Sequence, residues 1–245
     1  MGIRIGTSGW QYPHWTGRTF AGGVRITGLA DYMRLFDTVE INNTHYRWPR
    51  PENVQAWRAA AGPGFLFAVK AHRFVTHRTK LNDPSKGAEF AETVRPLDTA
   101  LGPVLFQMPD RFGANPDRLA AFLDGLPRGT AYAFEFRDRS WLTDPIFRLL
   151  EAHGAAHVIY DIGGFLAPDV VTAKLVYLRF HGPGTPYADP YGPAFIEDWA
   201  ERIRRWDTAG LDVFCYFDND MGGHAVDNAV ALRQAVGTTA GLQVA

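Results

Sequence analysis

The sequence lacks most of the features that mark a specialised class of protein. It holds a single cysteine, so no disulfide can form within the chain, and Cys215 lies in an apolar run typical of a buried packing residue. It has no run of about 18 apolar residues, the length that a bilayer-spanning helix needs. It also has no excess of either charge, because 25 Lys and Arg residues face 26 Asp and Glu residues, for a net charge of −1. This balance argues against nucleic acid as a partner.

Familiar catalytic motifs are also missing. The sequence contains neither the G-x-S-x-G turn of a serine hydrolase nor the H-E-x-x-H pattern of a zinc protease. The first residues already resemble a strand and show no signal-peptide pattern. We therefore expect a cytoplasmic protein that does not associate with membranes.

What the sequence does contain is a regular alternation of buried strands and helices. Hydrophobic residues make up 46% of the 245 residues and charged residues 21%, which is ordinary for a globular protein. Eight short runs rich in aromatic and β-branched residues have the length of buried strands. They cover residues 3–8, 38–42, 65–70, 103–107, 132–137, 157–161, 175–181 and 212–218.

Helical patterns separate most of these runs. Two sets of residues follow helical spacing: Leu119, Phe122, Leu123 and Leu126, and Ile196, Trp199, Ala200 and Ile203. Less regular helices are predicted for 26–36, 52–61, 86–100, 142–153 and 223–236. Eight strands alternating with helices predict an α/β fold, a single (β/α)8 TIM-type barrel domain over residues 1–245. Residues 162–174 hold two glycines and a proline in 13 residues, so the connection between the sixth and seventh strands is expected to be irregular.

Polar residues cluster at the carboxyl ends of the strands. Because side chains alternate along a strand, Glu40 shares a face with Asn42, Glu135 with Arg137, and Arg179 with His181. The same logic adds Lys70, Gln107, Asp161 and Asp218. In a parallel barrel all carboxyl ends meet at one rim. The sequence therefore predicts a polar ring supplied by seven strands.

Such a ring has two interpretations. Buried charges cost several kcal/mol unless they are paired, and a nearly neutral ring can simply pair within itself. Alternatively, the ring is a pocket in which carboxylates and a histidine transfer protons while the cationic side chains bind oxygen or negative charge. Active sites of this fold lie at the carboxyl ends of the strands, which favours the second interpretation.

Seven motifs, taken together, resemble one known family. They are GTSGWQYPHWTG (6–17), VEINNTHYRWP (39–49), VKAHRFVTH (69–77), LFQMP (105–109), FEFRDRSW (134–141), YLRFHG (177–182) and YFDND (216–220). In this order they resemble the domain-of-unknown-function 72 family, also called YecE-like. The resemblance implies a (β/α)8 barrel but no reaction. It singles out Trp10, Glu40, Asn42, Thr44, Tyr46, Lys70, Thr76, His77, Gln107, Pro109, Glu135, Arg137, Trp141, Arg179, His181, Gly182 and Asn219. The chain departs from the family pattern at Asn43, His45 and Asp218.

The leading interpretation is an enzyme, of hydrolase or isomerase/lyase type, that acts on a small polar metabolite, either carbohydrate-like or carboxylated. Glu40 and Glu135 are the candidate acid and base, with His181 in support. The candidate substrate-binding residues are Trp10, Asn42, Tyr46, Lys70, His77, Gln107, Arg137, Asp161, Arg179, Asp218 and Asn219.

Two other classes of function remain open at this stage. A metal-dependent isomerase or phosphodiester hydrolase would use Glu135, Asp161 and His181 as ligands of a divalent metal. A non-catalytic module for nucleic acid or protein is the third interpretation. No cofactor is predicted, and a divalent metal belongs only to the second interpretation.

Overall fold

The computed structural model describes residues 2–237, in which parallel strands alternate with helices. The strands are β1 (Ile3–Thr7), β2 (Thr38–Ile41), β3 (Leu66–Lys70), β4 (Leu101–Met108), β5 (Tyr132–Phe136), β6 (Ala156–Ile162), β7 (Phe165–Leu166), β8 (Leu175–Phe180) and β9 (Asp212–Phe217). The helices are α1 (Leu29–Tyr32), α2 (Asn43–Tyr46), α3 (Pro51–Ala60), α4 (Pro84–Val94), α5 (Pro116–Asp124), α6 (Asp144–Ala152), α7 (Pro193–Thr208) and α8 (His224–Val236). All eight predicted strands are present.

The chain divides into two compact units. The first contains the described residues up to Glu40, Tyr160–Ala167 and those from Val176 onward. Within it β1 pairs with β9 in parallel register from Ile3↔Val213 to Thr7↔Phe217, and Ser8 forms a parallel bridge with Glu40. Gly6 allows β1 to pack closely here, because a Cβ atom at this position would lie 2.4 Å from the Thr38 carbonyl oxygen.

The second unit contains Ile41–Ile159 and Pro168–Leu175. Its strands β3, β4, β5 and the start of β6 are successive parallel neighbours. Gln107 lies opposite Glu135 in the β4–β5 register. The apolar side chains of these strands are buried, as continuous apolar runs of a parallel sheet predict.

The amphipathic patterns identified in the sequence form helices with buried apolar faces. Leu119 and Phe122 on α5 are fully buried, as is Ile203 on α7. Both helices begin with a proline in the first turn, where the missing N–H costs no hydrogen bond. Within residues 2–237 no helix is both long enough and apolar enough to cross a lipid bilayer.

The connection between β6 and β8 is irregular, as predicted. It carries the two-residue strand β7, which pairs antiparallel with β6 through Asp161↔Leu166. Gly163 and Gly164 both have positive φ angles, 56° and 80°, which lets the chain reverse directly after β6.

Two predicted helices are shorter in the structure. The helix predicted for 26–36 is reduced to α1, because the Asp31 carboxylate accepts hydrogen bonds from the backbone N–H and hydroxyl of Thr27 and holds that residue outside the helix. The helix predicted for 86–100 ends at Val94 and continues as a 3-10 turn, in which Pro96 lacks an N–H and Asp98 has a φ angle of 55°.

Candidate active site

A buried polar cluster lies in the first unit. Its members come from or directly follow four strands of that unit, and we call it the Arg179 cluster: Ser8, Glu40, Tyr177, Arg179, His181 and Asp218. Tyr177, Arg179 and His181 are two residues apart along and just beyond β8, so strand alternation places them on one face.

At the centre of the cluster, Arg179 binds Glu40 with two parallel hydrogen bonds. Nε donates to Oε2 at 3.0 Å and Nη2 donates to Oε1 at 2.8 Å. Both side chains are completely buried. This fork geometry is the strongest form of an arginine–carboxylate pair.

Glu40 also accepts two hydroxyl hydrogen bonds. Ser8 Oγ donates to Oε1 at 2.5 Å, and Tyr177 OH donates to Oε2 at 2.6 Å. Each carboxylate oxygen therefore receives one hydroxyl and one guanidinium N–H. Because this carboxylate is buried and fully bonded, it is suited to hold Arg179 in place.

His181 lies between Arg179 and Asp218. Arg179 Nη1 is 3.3 Å from His181 Nε2, and since a guanidinium can only donate, Nε2 must be the accepting nitrogen. The ring proton is then on Nδ1, which lies 3.0 Å from Asp218 Oδ2. Asp218 Oδ2 also accepts from Arg179 Nη2 at 3.1 Å. The arrangement orients both the imidazole and the Asp218 carboxylate.

Asp161 forms a second acidic group beside His181. Tyr191 OH donates to Asp161 Oδ1 at 2.6 Å and accepts from the Gly182 N–H at 2.9 Å. Burial raises the pKa of Asp161, and the hydrogen bond from Tyr191 opposes that rise. An aspartate with a raised pKa can hold a proton closer to neutral pH than an ordinary aspartate can.

Asp220 extends the acidic region toward solvent. Burial, with a contribution from the charge of Asp218, raises the pKa of Asp220 to about 6. His14 Nε2 lies 3.1 Å from Asp220 Oδ2 and partly offsets this rise. The exposed fractions of the side chains increase from 9% at Asp218 through 15% at Asp220 to 38% at His14. These groups form the solvent-facing edge of the cluster.

The aromatic residues after β1 hold this edge in place. Trp15 is buried, and its Nε1 donates to the Asp220 carbonyl oxygen at 3.0 Å. Tyr12 OH donates to the Ser8 carbonyl oxygen at 2.5 Å. Trp15 therefore supports the site rather than presenting its ring face to a ligand, whereas Trp10 is partly exposed.

Negative charge predominates in this region. Within the Arg179 cluster, Glu40 and Asp218 supply two carboxylates against the single guanidinium of Arg179, and Asp161 lies beside His181. Burial, reinforced by the charges of Asp218 and other acids, raises the pKa of Tyr12. The region therefore suits a neutral or cationic ligand better than an anion.

The remaining predicted acid lies in the second unit. Glu135 is completely buried in β5 and forms an ion pair with Nε of Arg137, whose side chain is 13% exposed. Gln107, on the neighbouring strand, donates to the carbonyl oxygen of its own neighbour Met108 at 2.7 Å. Sequence reasoning therefore placed Glu135 and Arg137 correctly on one face.

A group of histidines surrounds Lys70 in the second unit. His45 Nδ1 is 3.1 Å from the Ala71 carbonyl oxygen, and the rings of His45 and His77 are 4.9 Å apart. Burial and then the charge of Lys70 lower the pKa of His45 to about 3 and also lower that of His77. Both imidazoles are therefore neutral at pH 7.

The other predicted binding residues differ in their surroundings. Asn42 is partly exposed before α2, and Tyr46 at the end of α2 is 65% exposed. Asn219 is completely buried. Its Nδ2 donates to the Asp189 carbonyl oxygen and to Asn228 Oδ1, both at 2.9 Å.

Sequence reasoning assigned no role to several residues that complete the site. Ser8, Tyr177 and Tyr191 donate hydroxyl hydrogen bonds to Glu40 and Asp161, while His14 and Asp220 form the solvent edge. Strand alternation could have identified Tyr177, which is two residues before Arg179. Tyr191 lies in a loop, where the sequence shows no comparable pattern.

Within the described part of the chain, no group of three or more His, Cys, Asp or Glu side chains is arranged to hold a metal ion. In the Arg179 cluster, the guanidinium of Arg179 occupies the position beside Asp218 and His181 that a cation would otherwise take. The predicted metal-dependent alternative gains no support from this geometry.

Comparison with known proteins places the chain in a family. A family model described as "Protein of unknown function DUF72" matches residues 4–244. The chain belongs to the DUF72 family. The resemblance identified in the sequence is thereby confirmed.

Curated DUF72 relatives include bacterial proteins of the same kind. UPF0759 protein YecE of Escherichia coli (strain K12) is 32% identical over 168 residues, covering 65% of this chain and 59% of YecE. The match therefore spans less than two thirds of that relative's length. UPF0759 protein YunF of Bacillus subtilis (strain 168) is 26% identical over 238 residues, with 82% of this chain and 83% of YunF covered.

Crystal structures of two DUF72 family proteins are similar over almost the whole chain. The protein from Thermotoga maritima MSB8 has a TM-score of 0.84 at 25% identity, covering 96% of this chain and 99% of that one. The protein from Enterococcus faecalis V583 has a TM-score of 0.82 at 21% identity, with 96% of each chain covered. The predicted α/β fold of the TIM-barrel type is confirmed.

Proposed function

We propose that the Arg179 cluster is the proton-transfer centre of an enzyme acting on a small, neutral, polyhydroxylated metabolite. The observation that carries the proposal is the position of Asp218, which is bound to Arg179 and lies 3.0 Å from His181 Nδ1 while its side chain still reaches solvent. A carboxylate oriented by two buried cationic or polar groups is a typical general base.

Asp161 and Asp218 divide the acid and base roles in this proposal. Asp218 stays ionised because a guanidinium lies 3.1 Å away, and it accepts a proton from the substrate. Burial raises the pKa of Asp161, and we assign the proton-donor role to this side chain. Two carboxyl groups whose surroundings favour opposite protonation states are a common acid–base arrangement. His181 lies beside both carboxyl groups, with its Nδ1 3.0 Å from Asp218 Oδ2.

Glu40 acts as a positioning residue in this scheme. Its two oxygens are bonded by Ser8, Tyr177 and Arg179, and its side chain has no exposed surface. It fixes the guanidinium that in turn orients Asp218. The catalytic role predicted for Glu135, and the substrate-binding roles predicted for Lys70, Gln107 and the other residues of the second unit, stay predictions.

The charge of the region selects among the predicted substrate classes. With Asp161 protonated, Glu40 and Asp218 still carry two negative charges against one guanidinium and repel a carboxylated metabolite, whereas carboxylate oxygens readily accept hydrogen bonds from sugar hydroxyls. The carbohydrate-like alternative is therefore favoured. We also propose that the enzyme needs no organic cofactor and that it acts in the cytoplasm.

The test is activity on a panel of neutral sugars and p-nitrophenyl glycosides. Proton NMR in D2O would follow deuterium incorporation into the sugars, and absorbance would follow release of p-nitrophenol. We expect turnover of at least one compound and a loss of at least about 100-fold in Asp218→Asn, as typical for removal of a general base. Asp198→Asn, an exposed aspartate on α7, is the control. Full activity of Asp218→Asn, or no reaction across the panel, contradicts the proposal.

A further inference from the structure

The second unit carries a group of cations that have no acidic partner. Arg73, Arg78 and Lys80 lie within eight residues after β3. Among residues 2–237 none of the three has a carboxylate within ion-pair distance. The charge of Asp110 raises the pKa of His77 in this region and so opposes the effect of the cations.

Several arginines on the surface elsewhere in the chain are paired with acids. Arg58 contacts Asp98 at 3.5 Å, Arg95 contacts Glu92 at 3.0 Å, and Arg202 contacts Asp198 at 3.0 Å. A net charge of −1 for the whole chain therefore conceals a local positive excess. Local patches of one sign are what guide a charged partner to a surface.

Each of the three cations lies close to an aromatic ring. The guanidinium of Arg73 lies 5.9 Å from the ring centre of Tyr46, and that of Arg78 lies 5.6 Å from the ring centre of Phe74. Lys80 Nζ lies 5.5 Å from the ring centre of Phe112. Such cation–π contacts hold long side chains in place without neutralising their charge.

The electrostatic field of this region acts on the nearby histidine. Burial lowers the pKa of His77, and the charges of Lys70, Arg73 and Lys80 lower it further. Lys70, Arg73 and Lys80 therefore all lie near the same imidazole. The same direction of shift at His45, where Lys70 is the second cause, extends that field toward α2.

The backbone that carries these cations is unusual. Residues Phe74–Arg78 form a π-helical turn, a local structure that is common at functional sites. The backbone φ angle of Lys80 is 50°. A residue other than glycine adopts such an angle only when the surrounding structure holds it there. The Leu81 N–H bonds to the Val75 carbonyl oxygen at 3.1 Å and fixes the turn.

We propose that this basic surface, formed by Tyr46, Arg73, Phe74, Arg78 and Lys80, binds a single-stranded nucleic acid. The unpaired cations would contact phosphates, and the 65% exposed ring of Tyr46 would stack on a base. An acidic peptide would use the cations but not the exposed ring. This surface shares no residue with the Arg179 cluster, so the inference goes beyond the proposed function.

The test uses fluorescein-labelled 15-nucleotide single strands of DNA and RNA and measures fluorescence anisotropy between 50 and 200 mM salt. We expect binding that weakens with salt, and a loss of affinity of about tenfold or more in the double variant Arg73→Ala/Arg78→Ala. Because each phosphate contact on a single strand contributes about 0.7 to the salt slope, the double variant should lower the slope by about 1.4.

A matched control separates this surface from general electrostatics. Arg95→Ala/Arg205→Ala removes the same charge from two exposed, ion-paired arginines, so it should leave affinity nearly unchanged. Circular dichroism melting curves verify that every variant is folded. Equal losses in both double variants would contradict the proposal, as would the absence of strand binding at 50 mM salt.

The base-stacking step has its own test. Tyr46→Ala should weaken strand binding several-fold while Tyr46→Phe retains it, since stacking needs the ring and not the hydroxyl. Heparin and an oligo-glutamate peptide carry negative charge but no bases. If either binds as tightly as the strands, or if Tyr46→Ala binds strands like the unaltered protein, the surface is a general polyanion site and the proposal is wrong. A preference for RNA over DNA, or the reverse, shows which kind of single strand this surface binds.

Discussion

Arg179 and Glu40 form a completely buried ion pair that is closed by two hydrogen bonds, 2.8 and 3.0 Å long. A buried pair of this kind gains little over an apolar replacement of the same shape, but the loss of one partner leaves the other charge buried without compensation. The pair is therefore costly to disrupt. It also fixes the guanidinium to which Asp218 is bound.

Replacing the acid of this pair should destabilise the protein strongly. Glu40→Gln keeps the size of the side chain but leaves the Arg179 charge without its carboxylate, and we expect the free energy of unfolding to fall by about 3 kcal/mol. Urea denaturation followed by circular dichroism measures the change. Glu201→Gln, which removes an exposed acid 3.8 Å from Arg205, should have little effect. Equal stability of Glu40→Gln and the unaltered protein would contradict this account.

Asp220 should give the protein a stability that decreases as pH rises. Its pKa is about 6 in the folded state against an ordinary value of 3.8. Between these values the folded state binds the proton more tightly than the unfolded chain, so the free energy of unfolding falls as pH increases from 4 to 6. Above pH 6 the ionised carboxylate costs the folded state about 1–2 kcal/mol, less than the full shift corresponds to, because solvent screens this partly exposed group.

Asp220→Asn removes this titration. At pH 7.5 the variant should be more stable than the unaltered protein, and the difference should shrink toward pH 4. Thermal melting at half-unit pH steps measures it, and Asp198→Asn, which changes an exposed acid, is the control. A difference that grows toward low pH would show that Asp220 has a lowered pKa instead.

His157 should give the protein a stability that increases as pH rises. It is 2% exposed at the start of β6, and burial lowers its pKa from 6.5 to about 4. Below pH 6.5 the unfolded chain gains a proton that the folded state does not, so stability is present above pH 6.5 and is lost as pH falls toward 4. The full shift corresponds to about 3 kcal/mol.

His157→Gln removes that dependence while retaining a donor for the Pro168 carbonyl oxygen, which His157 Nε2 contacts at 3.2 Å. Compared with the unaltered protein, its unfolding free energy should depend less on pH between 6.5 and 4. His153→Gln, which changes a more exposed histidine bonded to Asp124, should leave the pH dependence in place. An unchanged pH dependence in His157→Gln would show that folding does not lower the pKa of His157.

The sequence predicted the strands better than it predicted the site. Each strand is a compact apolar run followed by turn residues, so local pattern alone identified all eight. The helix expected from residue 26 begins only at Leu29, because the Asp31 carboxylate accepts hydrogen bonds from Thr27, which the spacing of apolar residues does not reveal. Single side-chain bonds of this kind decide where helices begin.

For the site, alternation along β8 placed Arg179 and His181 on one face, and both belong to the Arg179 cluster. The identity of the partners was harder to predict. Ser8 reaches Glu40 only because β1 and β2 lie side by side there, and Tyr191 reaches Asp161 from a loop 30 residues away. Such long-range pairs depend on the packed structure, which is why the bonding of Glu40 and the raised pKa of Asp220 could not be predicted from spacing.

The hydrogen bond from Tyr191 should affect the pKa of Asp161. Its hydroxyl donates to Asp161 Oδ1 at 2.6 Å and lowers the pKa of that carboxyl, which burial raises. Tyr191→Phe removes the donor, so the pKa of Asp161 should rise further. Since the Gly182 N–H also loses its acceptor, the free energy of unfolding should fall by about 1–3 kcal/mol.

Carbon-13 NMR of aspartate carboxyls, with Asp161 assigned from the signal missing in Asp161→Asn, follows the titration. Tyr132→Phe is the matched control, because that hydroxyl donates to the Pro127 carbonyl oxygen at 2.8 Å and contacts no carboxylate. It should leave the Asp161 titration in place. If the Asp161 pKa stays constant or falls in Tyr191→Phe, the Tyr191 hydroxyl does not lower that pKa. The account of how the surroundings of Asp161 set its pKa for the proposed acid role is then wrong.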